Sequence, residues 1–156
     1  MRASIILCDF AEQDQPGGKV HMLGAGWSIT GPQPSAQAVV VVIKVGWTEA
    51  NRPHGFVLRL TDGDGAVVHV PSPAGTQAME FAGRLEVGRP AGIPEGSEID
   101  TSFVVPLSPL QLTPGQRSTW RLSFGDEQIA SESFYMRPVP QPPMALPPAP
   151  TPHEGA

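Results

Sequence analysis

The densest set of chemistry-bearing side chains in this sequence is Trp47, Glu49, Asn51, Arg52 and His54, all within the segment W-T-E-A-N-R-P-H. An aromatic platform beside a carboxylate, an amide, a guanidinium and an imidazole suits a site that holds a small polar ligand. The same segment also reads as a turn, with Pro53 setting φ and Glu49 pairing with Arg52. General-base work at His54 needs a nucleophile or an orienting carboxylate within hydrogen-bond reach, and the sequence places neither. The segment therefore points to a ligand-binding loop, with no catalytic residue assigned.

Other candidates reduce to structure. Asp62-Gly63-Asp64-Gly65 has two carboxylates, but the calcium-loop spacing fails because Pro73 stands where the closing Glu is needed. Asp-Gly pairs supply the positive φ of tight turns, so a hairpin turn is expected there. His21, His54, His69 and His153 have no metal-ligand spacing, and one cysteine cannot build a structural zinc site. No metal and no cofactor is expected. His21 falls in an apolar row and is expected to be a core or edge histidine. Cys8 lies in an apolar run beside Asp9, whose charge opposes thiolate formation, so it is expected to pack rather than react. Gly24-x-Gly26 lacks the third glycine of a dinucleotide loop, since position 29 is Ile. No G-x-S-x-G elbow or phosphate loop occurs. Trp27, Trp47 and Trp120 offer faces for sugar stacking. Trp120 sits squarely in an alternating row and is expected in the core; Trp47 lies at a strand end.

Composition narrows the partners. The net charge is -5 and the pI about 5.2, and no two basic residues are adjacent. Proteins that grip phosphate backbones gather Lys and Arg on one face, so a nucleic-acid partner is not expected. No segment approaches the about 18 apolar residues of a membrane span. The N-terminal apolar run ends at Asp9, short of a signal peptide, and a lone cysteine suits a reducing compartment. A cytoplasmic protein is expected, monomeric or weakly oligomeric, with an unknown protein or small-molecule partner.

The elements that must position these residues are strands. Ala3–Phe10 is a short apolar run after which Gln15-Pro16-Gly17-Gly18 turns. Lys19–Thr30 alternates, placing His21, Leu23, Ala25, Trp27 and Ile29 on one face; Gly24 and Gly26 imply a close approach or a bend. Ala38–Trp47 is a continuous β-branched run, expected as a central strand buried on both faces, with Lys44 the first residue that must reach water. Phe56–Thr61 alternates into the Asp-Gly turn, and Val67–Val70 returns. Met79–Val87 alternates, and Arg89–Glu98 is a Gly/Pro loop. Ile99–Leu107 alternates, with Pro106 marking an end or an edge. Ser108–Gly115 is a corner whose Leu110 and Leu112 plug the core. Ser118–Met136 is a hairpin about Gly125-Asp126-Glu127, with a phase slip between Ile129 and Phe134 that predicts a bulge.

No helical period is sustained anywhere. Eight or nine short strands with Gly/Pro turns predict an all-β, two-sheet antiparallel sandwich, immunoglobulin-like or similar, over residues 1–137. Residues 138–156 are proline-rich, expected as a disordered tail with several P-x-x-P spacings.

Leu7-Cys8-Asp9-Phe10-Ala11-Glu12, Gly18-Lys19 leading to Leu23-Gly24-Ala25-Gly26-Trp27, and Trp47 through His54 resemble a bacterial family of small uncharacterised proteins. Its motifs span Leu7 to Gly65 and, more loosely, the closing hairpin to Met136. The resemblance implies a small β-sandwich and no activity. The functional expectation is a non-catalytic binding or interaction module. The alternatives are a structural component of a phage-like or compartment assembly, and a small hydrolase using His54 with Glu49 or Asp62.

Overall fold

The computed structural model describes residues 1–14, 18–33, 35–73 and 75–141. The expected turn at 15–17 and the expected tail from residue 142 onward lie outside the described residues. The chain is all-β. In chain order the strands are β1 (Arg2–Cys8), β2 (Phe10–Gln13), β3 (Val20–Leu23), β4 (Ile29–Thr30), β5 (Gln37–Val45) and β6 (Pro53–Thr61). They continue with β7 (His69–Ser72), β8 (Gly75–Ala78), β9 (Glu80–Glu86), β10 (Ile99–Leu107), β11 (Arg117–Phe124) and β12 (Glu127–Met136). These strands divide among four sheets: β1-β5-β10, β4-β12-β11-β6-β9, and the ribbons β2-β3 and β7-β8.

β5 explains the continuous apolar run. Val39, Val41, Ile43 and Val45 point into one cluster with Leu58, Leu60, Trp120, Leu122 and Phe134 of the five-stranded sheet. Ala38 and Val40 point the other way, into a second cluster with Cys8 and Ala11 that Ile6, Val20, Val42 and Val104 pack against. The β2-β3 ribbon supplies Ala11 and Val20, so it lies over the outer side of the three-stranded sheet. A strand covered on both faces has no position for a polar residue until it leaves that cover. Lys44 is where it leaves, and its ammonium bonds Asp100 of β10 at 2.7 Å.

The closing hairpin forms as expected. β11 and β12 pair from Arg117–Tyr135 to Phe124–Glu127, and the register shifts between Leu122 and Ser123, leaving Ile129 as the extra residue of a bulge. Trp120 is 0% exposed. Phe56 lies over Gly83, its register partner, where an added Cβ would meet the ring at 2.8 Å. The glycine lets the ring lie flat and stack on Phe103 at 4.7 Å, which joins the two larger sheets.

The alternating reading of 19–30 is corrected. The strand stops at Leu23 because Gly24 takes φ +60 and Gly26 φ +86, which extended backbone cannot accommodate. A Cβ at Gly24 would lie 2.1 Å from the Asp9 carboxylate, so the close approach is that of a side chain. Of the predicted row, Trp27 alone packs on the core; Leu23 is 66% exposed and Ile29 53%. His21 is the edge histidine of the two expected alternatives, exposed on β3 of the two-stranded ribbon with Nε2 at 3.0 Å from Asp14. Val67–Val70 also departs from expectation. Val67 bridges to Thr61 of β6 and Val68 N–H donates to the Leu60 carbonyl at 2.9 Å, after which β7 turns away to pair with β8.

Pro106 does mark an edge: β10 is the outer strand of its sheet. The Gln13 amide donates to the Ser102 carbonyl there at 3.1 Å, occupying an acceptor that an edge would otherwise present. Leu110 is buried at the end of the core, and Leu112 packs against it.

Candidate functional site

The expected loop to His54 is shortened, because Pro53 and His54 already pair with Glu86 and Leu85 of β9 as the start of β6; the connection from β5 to β6 spans residues 46–52. Its backbone is set first by the turn at Gly46, whose carbonyl accepts from Glu49 N–H at 2.9 Å and Ala50 N–H at 3.1 Å. Ala50 is buried beneath it. Asn51 takes the left-handed φ of 59°, which asparagine tolerates better than most residues, and its N–H donates to the Val87 carbonyl at 2.8 Å. Its side-chain oxygen accepts from Arg89 N–H at 3.2 Å.

The remaining polar groups close the loop further. The Glu49 carboxylate accepts from the Met1 ammonium at 2.7 Å and from Gly46 N–H at 3.0 Å. The ammonium hydrogen bond holds the Glu49 carboxyl below its ordinary range, against an opposing contribution from burial. Glu49 thus pairs with the chain's first residue, where the sequence suggested Arg52. His54 Nε2–H donates to the Glu49 carbonyl at 2.7 Å, and the ring packs edge-on to Phe124 at 6.3 Å. The Arg89 guanidinium lies 4.8 Å over the Trp47 ring and donates from Nη2 to the Trp47 carbonyl at 2.7 Å. Arg52 is exposed. The structure therefore brings Glu49, Asn51 and His54 together as a clamp, with Arg89 closing over Trp47.

A second polar region lies on the outer face of the five-stranded sheet. Leu58, Leu60, Trp120 and Leu122 point inward, so Arg59, Thr61, Arg121 and Ser123 point outward. The register sets Arg121 directly opposite Arg59, with Glu80 beyond Arg59 and Ser131 beyond Arg121. Arg59, Thr61, Arg121 and Ser123 floor a groove of about 540 Å³, walled by Gly65, Val67, Asp126 and Gln128. Arg59 Nε donates to Glu80 at 2.7 Å. Arg121 donates from Nε to Thr61 Oγ1 at 3.2 Å and from Nη1 to Gln128 Oε1 at 3.0 Å. Both acceptors are neutral, and among the described residues no ion pair involves Arg121. The groove is absent from the sequence-level candidates. The available signal was an arginine centred in the outward row of each of two strands.

The remaining candidates resolve structurally. Asp62 makes the hairpin turn, its carboxylate accepting from Asp64 and Ala66 N–H at 3.0 and 2.9 Å. Cys8 is buried, its thiol 3.5 Å from the Ala38 carbonyl. Burial, aided by Asp9, pushes that thiol's pKa up. Among the described residues no helix is long and apolar enough to cross a membrane.

Fold and site together define a small all-β protein with a clamped loop at one strand end and an open polar groove on its largest sheet. Residues 3–137 match the family of unknown function DUF6941, and the chain belongs to that family. No curated protein matches it. Among solved structures, it is similar to a β-glucuronidase from glycoside hydrolase family 2, at 16% identity and a TM-score of 0.32 over 67% of this chain. The matched part spans 10% of that enzyme, and the likeness carries no argument about activity.

Proposed function

We propose that the protein is a non-catalytic binding module on an immunoglobulin-like two-sheet sandwich, whose ligand face is the groove across β6 and β11. The sandwich reading is supported by the single cluster into which the three- and five-stranded sheets both point. The observation that carries the binding reading is the concavity over Arg121, a guanidinium that no carboxylate neutralises among the described residues. In the 47–54 loop the polar groups of Glu49, Asn51 and His54 are bound to the fold itself. In the groove, guanidinium, hydroxyl and amide groups line a concavity of about 540 Å³. A concavity of several hundred Å³ with a few convergent polar groups is what a small-molecule site requires.

The test is a thermal-shift screen of phosphorylated, carboxylated and neutral sugar compounds against the wild type and Ser123→Trp. The substitution places an indole across the groove floor while leaving the inward row untouched. Compounds that raise the wild-type midpoint should fail to raise that of Ser123→Trp. Equal shifts in both proteins would remove the groove from the account.

A further inference from the structure

We infer that the groove seats an oxyanion, the phosphate, sulfate or carboxylate group of a small polar ligand, between Arg59 and Arg121; this rests on the groove being the binding face. Like charges directly opposite on adjacent strands destabilise a sheet, and Arg59 and Arg121 occupy such a pair. A conflict of this kind between local rule and observed residue is where functional sites are found. One of the two charges is answered: Glu80 lies 2.7 Å from Arg59. The other is not answered by any carboxylate among the described residues, since Thr61 and Gln128 accept from Arg121 without neutralising it. Asp126 stands on the groove wall and makes no ion pair with either arginine.

Geometry adds to the charge argument. Hydrogen bonds at Nε and Nη1 fix the Arg121 fork, leaving Nη2 without a hydrogen bond among the described residues. A guanidinium held by neutral acceptors is preorganised, so little side-chain entropy remains to be lost when an oxyanion binds. The groove, at about 540 Å³, is larger than a bare oxyanion. The surplus lies over Ser123 and Gly65, whose hydroxyl and open backbone suit the polar body of the molecule that carries the anion.

The experiment is a titration of the full, isotope-labelled chain with inorganic phosphate, sulfate or acetate, ionic strength held constant with chloride. The arginine Nε–H signals are followed by NMR. Phosphate should move the Arg59 and Arg121 signals saturably, with a dissociation constant on the order of millimolar. Arg121→Gln should weaken binding about tenfold, as expected for losing a charge-assisted pair of hydrogen bonds. Arg121→Lys keeps the charge without the fork and should also weaken it, which covers the case of a misfolded glutamine variant. Arg84→Gln, on the same sheet outside the groove, should leave it unchanged. A stronger response to acetate than to phosphate or sulfate assigns the seat to a carboxylate, the reverse order to a tetrahedral anion, and either supports the inference. Shifts that rise linearly without saturation, or that Arg84→Gln reduces as much as Arg121→Gln, overturn it. If all three anions fail while compounds in the thermal-shift screen remain sensitive to Ser123→Trp, the oxyanion seat falls and the binding face stands.

Discussion

The 47–54 loop and the outer face of the five-stranded sheet are both rich in polar side chains, and they differ in whether charge is neutralised and whether a concavity stands over it. In the loop, three groups close on neighbours: Glu49 on the Met1 ammonium, Asn51 on Arg89 N–H, and His54 on the Glu49 carbonyl. On the sheet, Arg121 is steered by neutral acceptors and faces a groove. Residue type alone does not separate a clamp from a site. Partners separate them, and partners depend on register and on contacts between distant segments. The loop residues should therefore matter for stability, and the groove residues for binding.

The sharpest form of this contrast lies within one strand. Trp120 and Arg121 are neighbours on β11 that point to opposite faces. Trp120→Ala should lower unfolding free energy by about 3–5 kcal/mol, the usual result of emptying a buried aromatic site. Urea denaturation measures it. Next in size is Asn51→Ala, which forces a β-carbon residue into the left-handed region and removes the acceptor for Arg89. A loss of about 1–2 kcal/mol is expected. Asn51→Gly restores the backbone freedom and should lose less. If glycine proves as damaging as alanine, the side-chain contact rather than backbone strain holds the loop.

Arg89→Ala opens the lid over Trp47 and should remove about 0.5–1 kcal/mol, the size of an exposed cation–π contact. Glu49 contributes a pH-dependent increment. Its folded-state pKa lies below the ordinary value of 4.5, so its stabilisation is present above that value and is lost as pH falls through the folded-state pKa. The wild-type urea midpoint should fall as the solution is acidified through this window, and Glu49→Gln should flatten the slope there. An unchanged slope would mean that the carboxylate does not hold the loop. Its partial exposure keeps the effect small.

Much of the architecture is legible in the residue pattern, for identifiable reasons. The unbroken run through Val39–Val45 marks a strand with cover on both sides, and the ribbon that covers it carries its own apolar row in Ala11 and Val20. The phase slip near Ile129 is a bulge because an extra residue must break alternation. Lys19–Thr30 misleads because hydrophobic alternation continues through Gly24 and Gly26, although their backbone has already left the strand region. The loop's side chains are visible as chemistry, yet their partners Val87, Arg89 and Met1 come from elsewhere in the chain. The groove hides for the same reason. Arg59 and Arg121 each look like an ordinary outward residue until the pairing of β6 with β11 sets them face to face.

Equilibrium urea unfolding of wild type and Arg121→Gln at low ionic strength tests most directly whether this guanidinium is held for a ligand rather than for the fold. The account predicts stability within about 0.5 kcal/mol of wild type, or slightly above it, because the loss of two hydrogen bonds to neutral acceptors is offset by relief of repulsion with Arg59. A loss of more than about 1 kcal/mol would make Arg121 a structural prop, comparable to the loop residues, and would contradict the account.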